Sequence, residues 1–168
     1  VRCRENGESA TSGDRAMAAA EAKASLLLSI HGNSDPYFAE SYGFECYPQP
    51  PGRIYHDDAL VFAQAIAQQF GRAGHRLRGE NGVRYIYYQG TEETGYEKQV
   101  VEISDTSVHE DETFGLLEKA SCPAVLAEQC FLTNASDVDA WGSESGCQAA
   151  AECYYRAICE YFGTQPIA

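Results

Sequence analysis

Two apolar segments of the sequence end in polar side chains that are suited to hydrolytic chemistry. The segment SLLLSIHGN carries His31 directly after its apolar run and ends at Asn33. The segment PAVLAEQCFLTN places Glu128 directly after the run AVLA, with Asn134 beyond it. Ligands of open α/β sheets bind outside the carboxyl ends of the strands. An imidazole and a carboxylate delivered to the same edge could therefore form one site.

An imidazole–carboxylate pair of this kind suits metal-assisted hydrolysis. Zinc held by such groups polarises a carbonyl and lowers the pKa of a bound water. A carboxylate that is not a ligand can take the proton from that water and pass it to a leaving amine. Each residue also has a structural interpretation, as a hydrogen-bonded strand end for His31 and as a cap or ion-pair partner for Glu128. Burying an unpaired carboxylate is costly, which favours a functional role for Glu128.

The elements that must position these residues alternate along the chain. Apolar runs predict the strands, helical periodicity predicts the helices, and turn residues mark the boundaries between these elements. The segments 83–90 and 98–104 are typical of a β-hairpin, and the alternation as a whole predicts an α/β layer architecture. Strands are predicted over 25–30, 43–47, 83–90, 98–104 and 121–131, and helices over 12–24, 57–71, 110–120 and 147–163.

Composition narrows the classes of partner. The 168 residues suit one domain, and a net charge of −13 disfavours nucleic acid, which needs clustered cations. No apolar run is long enough to span a bilayer, and no signal-peptide pattern opens the chain at Val1. The seven cysteines include no CxxC pair, so we expect free and mostly buried thiols.

Taken together, the segments LLLSIHGN and CPAVLAEQCFLTN resemble two signatures of the zinc-dependent N-acetylmuramoyl-L-alanine amidases of the Amidase_3 type. Arg4 and Arg15 stand at two arginine positions of that family. The segment SDVDAWGSESGCQAAAECYYRAICEYFG resembles its closing helix. The resemblance runs from the first residues to about Gly163, although the stretch 85–104 fits poorly.

The resemblance implies a single amidase-like catalytic domain over 1–168, with a phosphorylase/hydrolase-like fold. That fold is a mixed, largely parallel sheet with helices on both faces. His31 is then a zinc ligand, Glu128 the catalytic carboxylate, and Asn33 and Asn134 substrate-binding residues. The implied cofactor is Zn²⁺ and the implied partner is peptidoglycan, cleaved between the lactyl group of N-acetylmuramic acid and L-alanine. The implied location is the cell envelope, with a cytosolic period before release as the alternative.

The sequence departs from the family at the other zinc ligands. The family uses a histidine in a DPGHGG-like motif and a glutamate on the following helix, and neither motif occurs here. We expect the family's first strand and first helix to lie before Val1, so that this chain corresponds to the later part of the domain. Substitute ligands within the chain are a second possibility, although acids at helix starts also serve the helix dipole. The candidates are His56, Asp57, Asp58, His75, His109 and Glu110.

Two other functions stay open. A metal-free, non-catalytic peptidoglycan-binding or regulatory relative is favoured by the absence of the two ligand motifs. A cysteine hydrolase would use Cys130 or Cys122, and it requires a neighbour that lowers the pKa of the thiol. The sequence shows no such neighbour.

Overall fold

Helices and strands alternate along the chain in the computed structural model, which describes residues 1–91 and 93–167. The predicted α/β class is confirmed. The strands are β1 Leu27–Asn33, β2 Glu45–Pro48, β3 Arg84–Thr91, β4 Gly95–Glu102 and β5 Ala124–Phe131. The helices are α1 Ser12–Glu21, α2 His56–Arg72, α3 Gly115–Lys119, α4 Ala135–Asp137 and α5 Glu144–Tyr161, with a π-helical turn Val138–Gly142 before α5.

The central sheet is mixed, as predicted. Its strand order is β1-β5-β2, with β1 parallel and β2 antiparallel to β5. On the far side of β2, Phe44 forms a parallel bridge with Leu77, and Cys46 forms one with Val83. Strands β3 and β4 form the predicted antiparallel hairpin. This arrangement leaves β1 at one edge of the three-stranded sheet.

Helices lie on both faces of this sheet. Alternate residues of a strand point to opposite faces, so each strand contributes to two separate cores. On one face, Val125 of β5 packs in a cluster with residues of α2 and α5, such as Phe62 and Ala157. On the other face, Leu126 packs in a second cluster with residues of α1 and α3. None of the described helices is long and apolar enough to cross a membrane.

Helix α1 begins at Ser12, as predicted, and ends at Glu21, three residues before the predicted end at 24. Thr11 is its N-cap. The Asp14 N–H donates to Thr11 Oγ1 at 3.1 Å, and the Thr11 N–H donates to the Asp14 carboxylate at 2.9 Å. This reciprocal capping box satisfies two donors at the start of the helix. Ala16 and Ala19 of this helix pack in the cluster on the face of the sheet that carries His31.

The helix predicted over 110–120 is wrong in extent. Only Gly115–Lys119 is helical, and Glu112 instead forms an antiparallel bridge with Tyr88 of β3. The Tyr88 N–H donates to the carbonyl of Glu112 at 2.8 Å. Pairing with the hairpin therefore overrides the acid-rich pattern that resembled a helix start.

Candidate functional site

His31, Glu128 and Glu45 lie side by side across the three strands. The register pairs His31 with Glu128 on β5, and pairs Glu128 in turn with Glu45 on β2. Directly opposed residues on neighbouring strands project to the same face. We call these three residues the polar row. The structure thus brings together the two residues singled out in the sequence and adds a third.

The polar row lies on the face covered by α1 and α3. Two residues away from each member along its strand, Ser29, Leu126 and Tyr47 lie on the same side of the sheet, and Leu126 and Tyr47 belong to the cluster on that face. The row is also close to the carboxyl ends of the parallel strands β1 and β5. Ligands of α/β sheets bind at such ends.

A β-bulge ends the row beside His31. His31 pairs with Glu128 and Asn33 pairs with Phe131, so β5 has one residue more than β1 in this interval. A Cβ at Gly32 would lie 2.8 Å from Leu132 Cγ, so a side chain there would require the exposed Leu132 side chain to move. Bulges redirect side chains next to functional sites. Here Asn33 Nδ2 donates to Glu45 Oε1 at 2.7 Å.

Glu45 is a buried carboxylate that cationic partners hold in place. Its side chain is 4% exposed. Arg84 donates to Glu45 Oε2 at 2.9 Å, and Arg78 Nε lies 3.2 Å from Glu45 Oε1. Arg84 also pairs with Glu102 at 2.9 Å. Two guanidinium groups and the Asn33 amide therefore offset the cost of burying this charge.

The sequence contained a signal for Glu45 that was missed. Glu45 is an acid within the apolar strand segment GFECY. The same reasoning that singled out Glu128 after AVLA applies to it, because a buried carboxylate needs partners or a function.

Glu128 has the opposite surroundings. Its Oε2 atom is buried and has no hydrogen-bond partner within the part of the chain that the structure describes. Burial raises the pKa of Glu128 to about 7, the Glu45 carboxylate adds to this rise, and the Lys98 ammonium opposes it. Protonated and ionised forms of the carboxyl group thus coexist near neutral pH. A group that both accepts and donates protons at such a pH meets the requirement for general acid–base catalysis.

His31 presents a neutral imidazole to the row. Its Nε2 lies 2.9 Å from Ser29 Oγ. Burial lowers the pKa of His31, and the positive charges of Arg15 and Arg4 lower it further. The neutral form is the one that can ligate a metal.

The described residues do not complete a zinc site around His31. In 1–91 and 93–167, no group of three His, Cys, Asp or Glu side chains is placed to hold a metal ion. Catalytic zinc sites in proteins use three protein ligands. The predicted zinc ion therefore does not fit the donor set of these residues alone.

The substitute ligands suggested by the sequence are engaged elsewhere. His56 Nδ1 lies 2.9 Å from the Gln49 carbonyl oxygen, and His75 Nε2 lies 2.8 Å from that of Gln129. His109 stacks on Tyr87 with ring centroids 4.4 Å apart. Asp57 and Asp58 occupy the first turn of α2, and Glu110 lies before α3. The structure does not gather these residues at His31.

Asn134 occupies a different position from the polar row. Its Oδ1 accepts from the Asp137 N–H at 3.0 Å and caps α4. Its Nδ2 donates to the Ala39 carbonyl at 3.1 Å, which ties the segment after β5 to the loop after β1. The amide of Asn33 is likewise engaged, with Glu45. Substrate binding by Asn33 and Asn134 stays a prediction.

The seven cysteines are free, and five of them are buried. Burial, followed by the charge of Asp137, raises the pKa of Cys130 to about 11. Burial also raises the pKa of Cys122. Both thiols stay protonated near neutral pH, which disfavours the cysteine-hydrolase alternative.

Comparison with known sequences identifies the family. Residues 1–160 match the sequence profile of Amidase_3, described as N-acetylmuramoyl-L-alanine amidase. This chain belongs to that family. The match covers nearly the whole chain, including both members of the row that the sequence singled out. No curated protein sequence matches the chain.

Solved structures of such amidases share the fold. The catalytic domain of CwlV from Bacillus (Paenibacillus) polymyxa var. colistinus is 24% identical, with a TM-score of 0.71 over 98% of this chain and 73% of that chain. Ami1 from Mycobacterium smegmatis is 21% identical, with a TM-score of 0.72 over 97% of this chain and 66% of that chain. The amidase from Clostridium difficile 630 is 21% identical, with a TM-score of 0.66 over 94% of this chain and 68% of that chain. The chain thus spans about two thirds to three quarters of these proteins.

Proposed function

We propose that this chain hydrolyses the amide bond between N-acetylmuramic acid and L-alanine in peptidoglycan, with Glu128 as the catalytic carboxyl group. Membership of the family supports the bond and the substrate. The observation that carries the role of Glu128 is its buried, unpartnered oxygen beside the imidazole of His31. Glu45, by contrast, is held by Arg78, Arg84 and Asn33.

The proton chemistry assigned to Glu128 follows from its surroundings. In its ionised form Glu128 accepts the proton of the attacking water, whose oxygen bonds to the amide carbon. In its protonated form it donates that proton to the nitrogen of L-alanine as the C–N bond breaks. A pKa of about 7 suits both steps, because neither protonation state is rare near neutral pH. The products are a lactyl carboxylic acid and a free peptide amine.

Zinc dependence is part of the proposal and rests on His31. Its neutral imidazole is the ligand that the described residues supply. The remaining donors of a catalytic site are not gathered beside it, so the proton steps above are argued for Glu128 alone. That the family's first strand and helix precede Val1 stays a prediction.

The direct test is hydrolysis of a synthetic N-acetylmuramoyl-L-alanyl peptide, followed by the appearance of the free L-alanine amine, with zinc supplied. We expect Glu128→Gln to lower the rate about a thousandfold, a typical loss for a general acid–base group. Glu144→Gln, at an exposed position in the first turn of α5, is the matched control and should retain the rate. Undiminished hydrolysis by Glu128→Gln would remove the role assigned to this residue.

A metal-free, peptidoglycan-binding relative is the second candidate function. The incomplete donor set around His31 favours it. It predicts no hydrolysis with or without zinc, and binding to purified peptidoglycan that His31→Ala and Glu128→Ala leave unchanged. Zinc binding in elemental analysis that His31→Ala abolishes would support the amidase instead.

We propose the cell envelope as the site of action, because peptidoglycan lies outside the cytoplasmic membrane. Localisation of the tagged chain, compared with a cytosolic marker, tests this placement. Retention with the marker in intact, growing cells would contradict action at the envelope before lysis.

A further inference from the structure

The β3–β4 hairpin is fixed against the side of the site that carries Glu45. Arg84, at the start of β3, pairs with both Glu45 and Glu102. Ile86 is buried in the core cluster on the α1–α3 face, and Val100 packs against that cluster. These contacts show that one face of the hairpin, the one bearing Arg84 and Ile86, faces the site.

The pleat of the hairpin places Lys98 on this same face. Arg84, Ile86 and Tyr88 alternate along β3, and Tyr88 pairs directly with Lys98 on β4. The Tyr88 ring packs edge-on against Phe114, with centroids 5.9 Å apart. Lys98 itself is exposed, and no ion pair or hydrogen bond to its ammonium is formed within 1–91 and 93–167.

Electrostatics agrees with this placement. The Lys98 ammonium lowers the pKa of Glu128, and Glu128 raises the pKa of Tyr88 after the larger effect of burial. Among the described residues, Lys98 is therefore an unpaired cation at the border of a site that also holds carboxylates and their arginine partners on this side. In a chain with 25 acidic residues and 12 basic ones, an unpaired lysine at this place is available to an incoming anion.

We propose that Lys98 binds a carboxylate of the stem peptide and so makes the site selective for stems whose second residue carries a free α-carboxylate. This inference rests on the proposed function. The stem continues from L-alanine with a D-glutamate linked through its γ-carboxyl group, so its α-carboxylate lies one residue beyond the scissile bond. An ammonium group discriminates strongly between that carboxylate and its neutral amide.

Two other cations near the site are less available for this role. Arg4 donates to the Glu8 carbonyl at 3.0 Å, and Arg15 Nε donates to the Thr11 carbonyl at 3.4 Å. Both act on the pKa of His31 and not on that of Glu128. They border the β1 side of the polar row, whereas the hairpin borders the β2 side.

The test compares two N-acetylmuramoyl-L-alanyl peptides whose D-glutamate is extended through its γ-carboxyl group by the same C-terminally amidated residue, one with a free α-carboxylate on the glutamate and one with its α-amide, using the full chain with zinc supplied. The readouts are the ratio of kcat/KM for the two peptides and the ratio of their Kd values in a Glu128→Gln background. We expect a preference for the acid of about tenfold, the size of one charge-assisted contact at a partly exposed position. Lys98→Gln should bring the ratio to about one, and Lys98→Glu should reverse it. Lys119→Gln, an exposed lysine on α3, is the matched control and should keep the original ratio.

The outcomes separate this inference from the proposed function. Equal hydrolysis of both peptides by the unmodified chain overturns the role of Lys98 and leaves the amidase proposal standing. A Lys98-dependent binding preference without hydrolysis supports the role of Lys98 and overturns the amidase proposal. A Lys98→Gln variant that shifts the pH profile but keeps the acid preference shows that Lys98 acts on Glu128 alone, and it overturns the inference. A preference that only Arg15→Gln removes also overturns it, as does failure to bind either peptide.

Discussion

Glu45 and Glu128 are opposed across β2 and β5, yet their surroundings differ completely. The carboxylate of Glu45 is held by Arg78, Arg84 and Asn33, and its charge is compensated. The carboxyl group of Glu128 has a buried oxygen without a partner, and burial raises its pKa to about 7. Two neighbouring carboxyl groups in such different surroundings have different roles. The first is structural, and the second is available for proton transfer.

The largest expected difference between the two is in stability. Glu45→Ala leaves the partly buried guanidinium group of Arg78 without this anion and leaves Arg84 with Glu102 alone, and we expect the free energy of unfolding to fall by about 3 kcal/mol. Glu128→Ala removes no ion pair or hydrogen bond of the described residues and should cost much less. Urea unfolding of both variants at pH 7 makes the comparison. Equal losses would contradict the structural role of Glu45.

The pH dependence of stability is the next test, on metal-free protein. The folded-state pKa of Glu128, about 7, lies above its ordinary value of 4.5. Between these values the folded chain holds a proton that the unfolded chain has released, so this contribution to stability is present at low pH and is lost as the pH rises from 4.5 through 7.

Glu128→Gln removes this contribution. We expect its melting temperature to exceed that of the unmodified chain by about 3 °C at pH 8, and the two to be closer at pH 5. Glu144→Gln serves again as the control for loss of an exposed acid. A Glu128→Gln variant that melts below the unmodified chain at pH 8, but not at pH 5, would contradict this expectation. It would show that the ionised carboxylate is well solvated or paired.

Asn33 sharpens the comparison with the smallest expected effect. Asn33→Ala removes one hydrogen bond to the carboxylate of Glu45 and should cost about 1 kcal/mol. In a Glu45→Ala background the same change should cost less, because the bond to Glu45 is already lost and only the bond from the Ser34 N–H to Asn33 Oδ1 remains to be removed. Additive losses in this double-mutant cycle would show that Asn33 acts independently of Glu45.

Most helices and strands could be predicted from the sequence, because long periodic patterns of apolar residues determine them. The apolar face of α2 and the two strands that carry His31 and Glu128 were all visible. The segment 110–114 was assigned to a helix because its acids resemble a first turn. Its backbone instead pairs with Tyr88, a contact that no local pattern records.

The third member of the polar row could not be predicted in the same way. Glu45 stands 83 residues before Glu128 in the chain. Only the antiparallel register of β2 with β5 brings them together, and a shift of one residue would turn Glu45 to the opposite face. The hairpin residue Lys98 depends likewise on how the hairpin packs, which its alternating pattern leaves undetermined.

The measurement that tests the central claim most directly is the ionisation of Glu128 itself. Carbon-13 NMR of the side-chain carboxyl groups of glutamate-labelled, metal-free protein, assigned with Glu128→Gln, follows this group across the pH range. We predict a midpoint of about 7 for Glu128, and a lower midpoint in Glu45→Gln because a neighbouring negative charge is removed. A midpoint at or below 4.5 would contradict the account, since Glu128 would then be a carboxylate as well accommodated as Glu45.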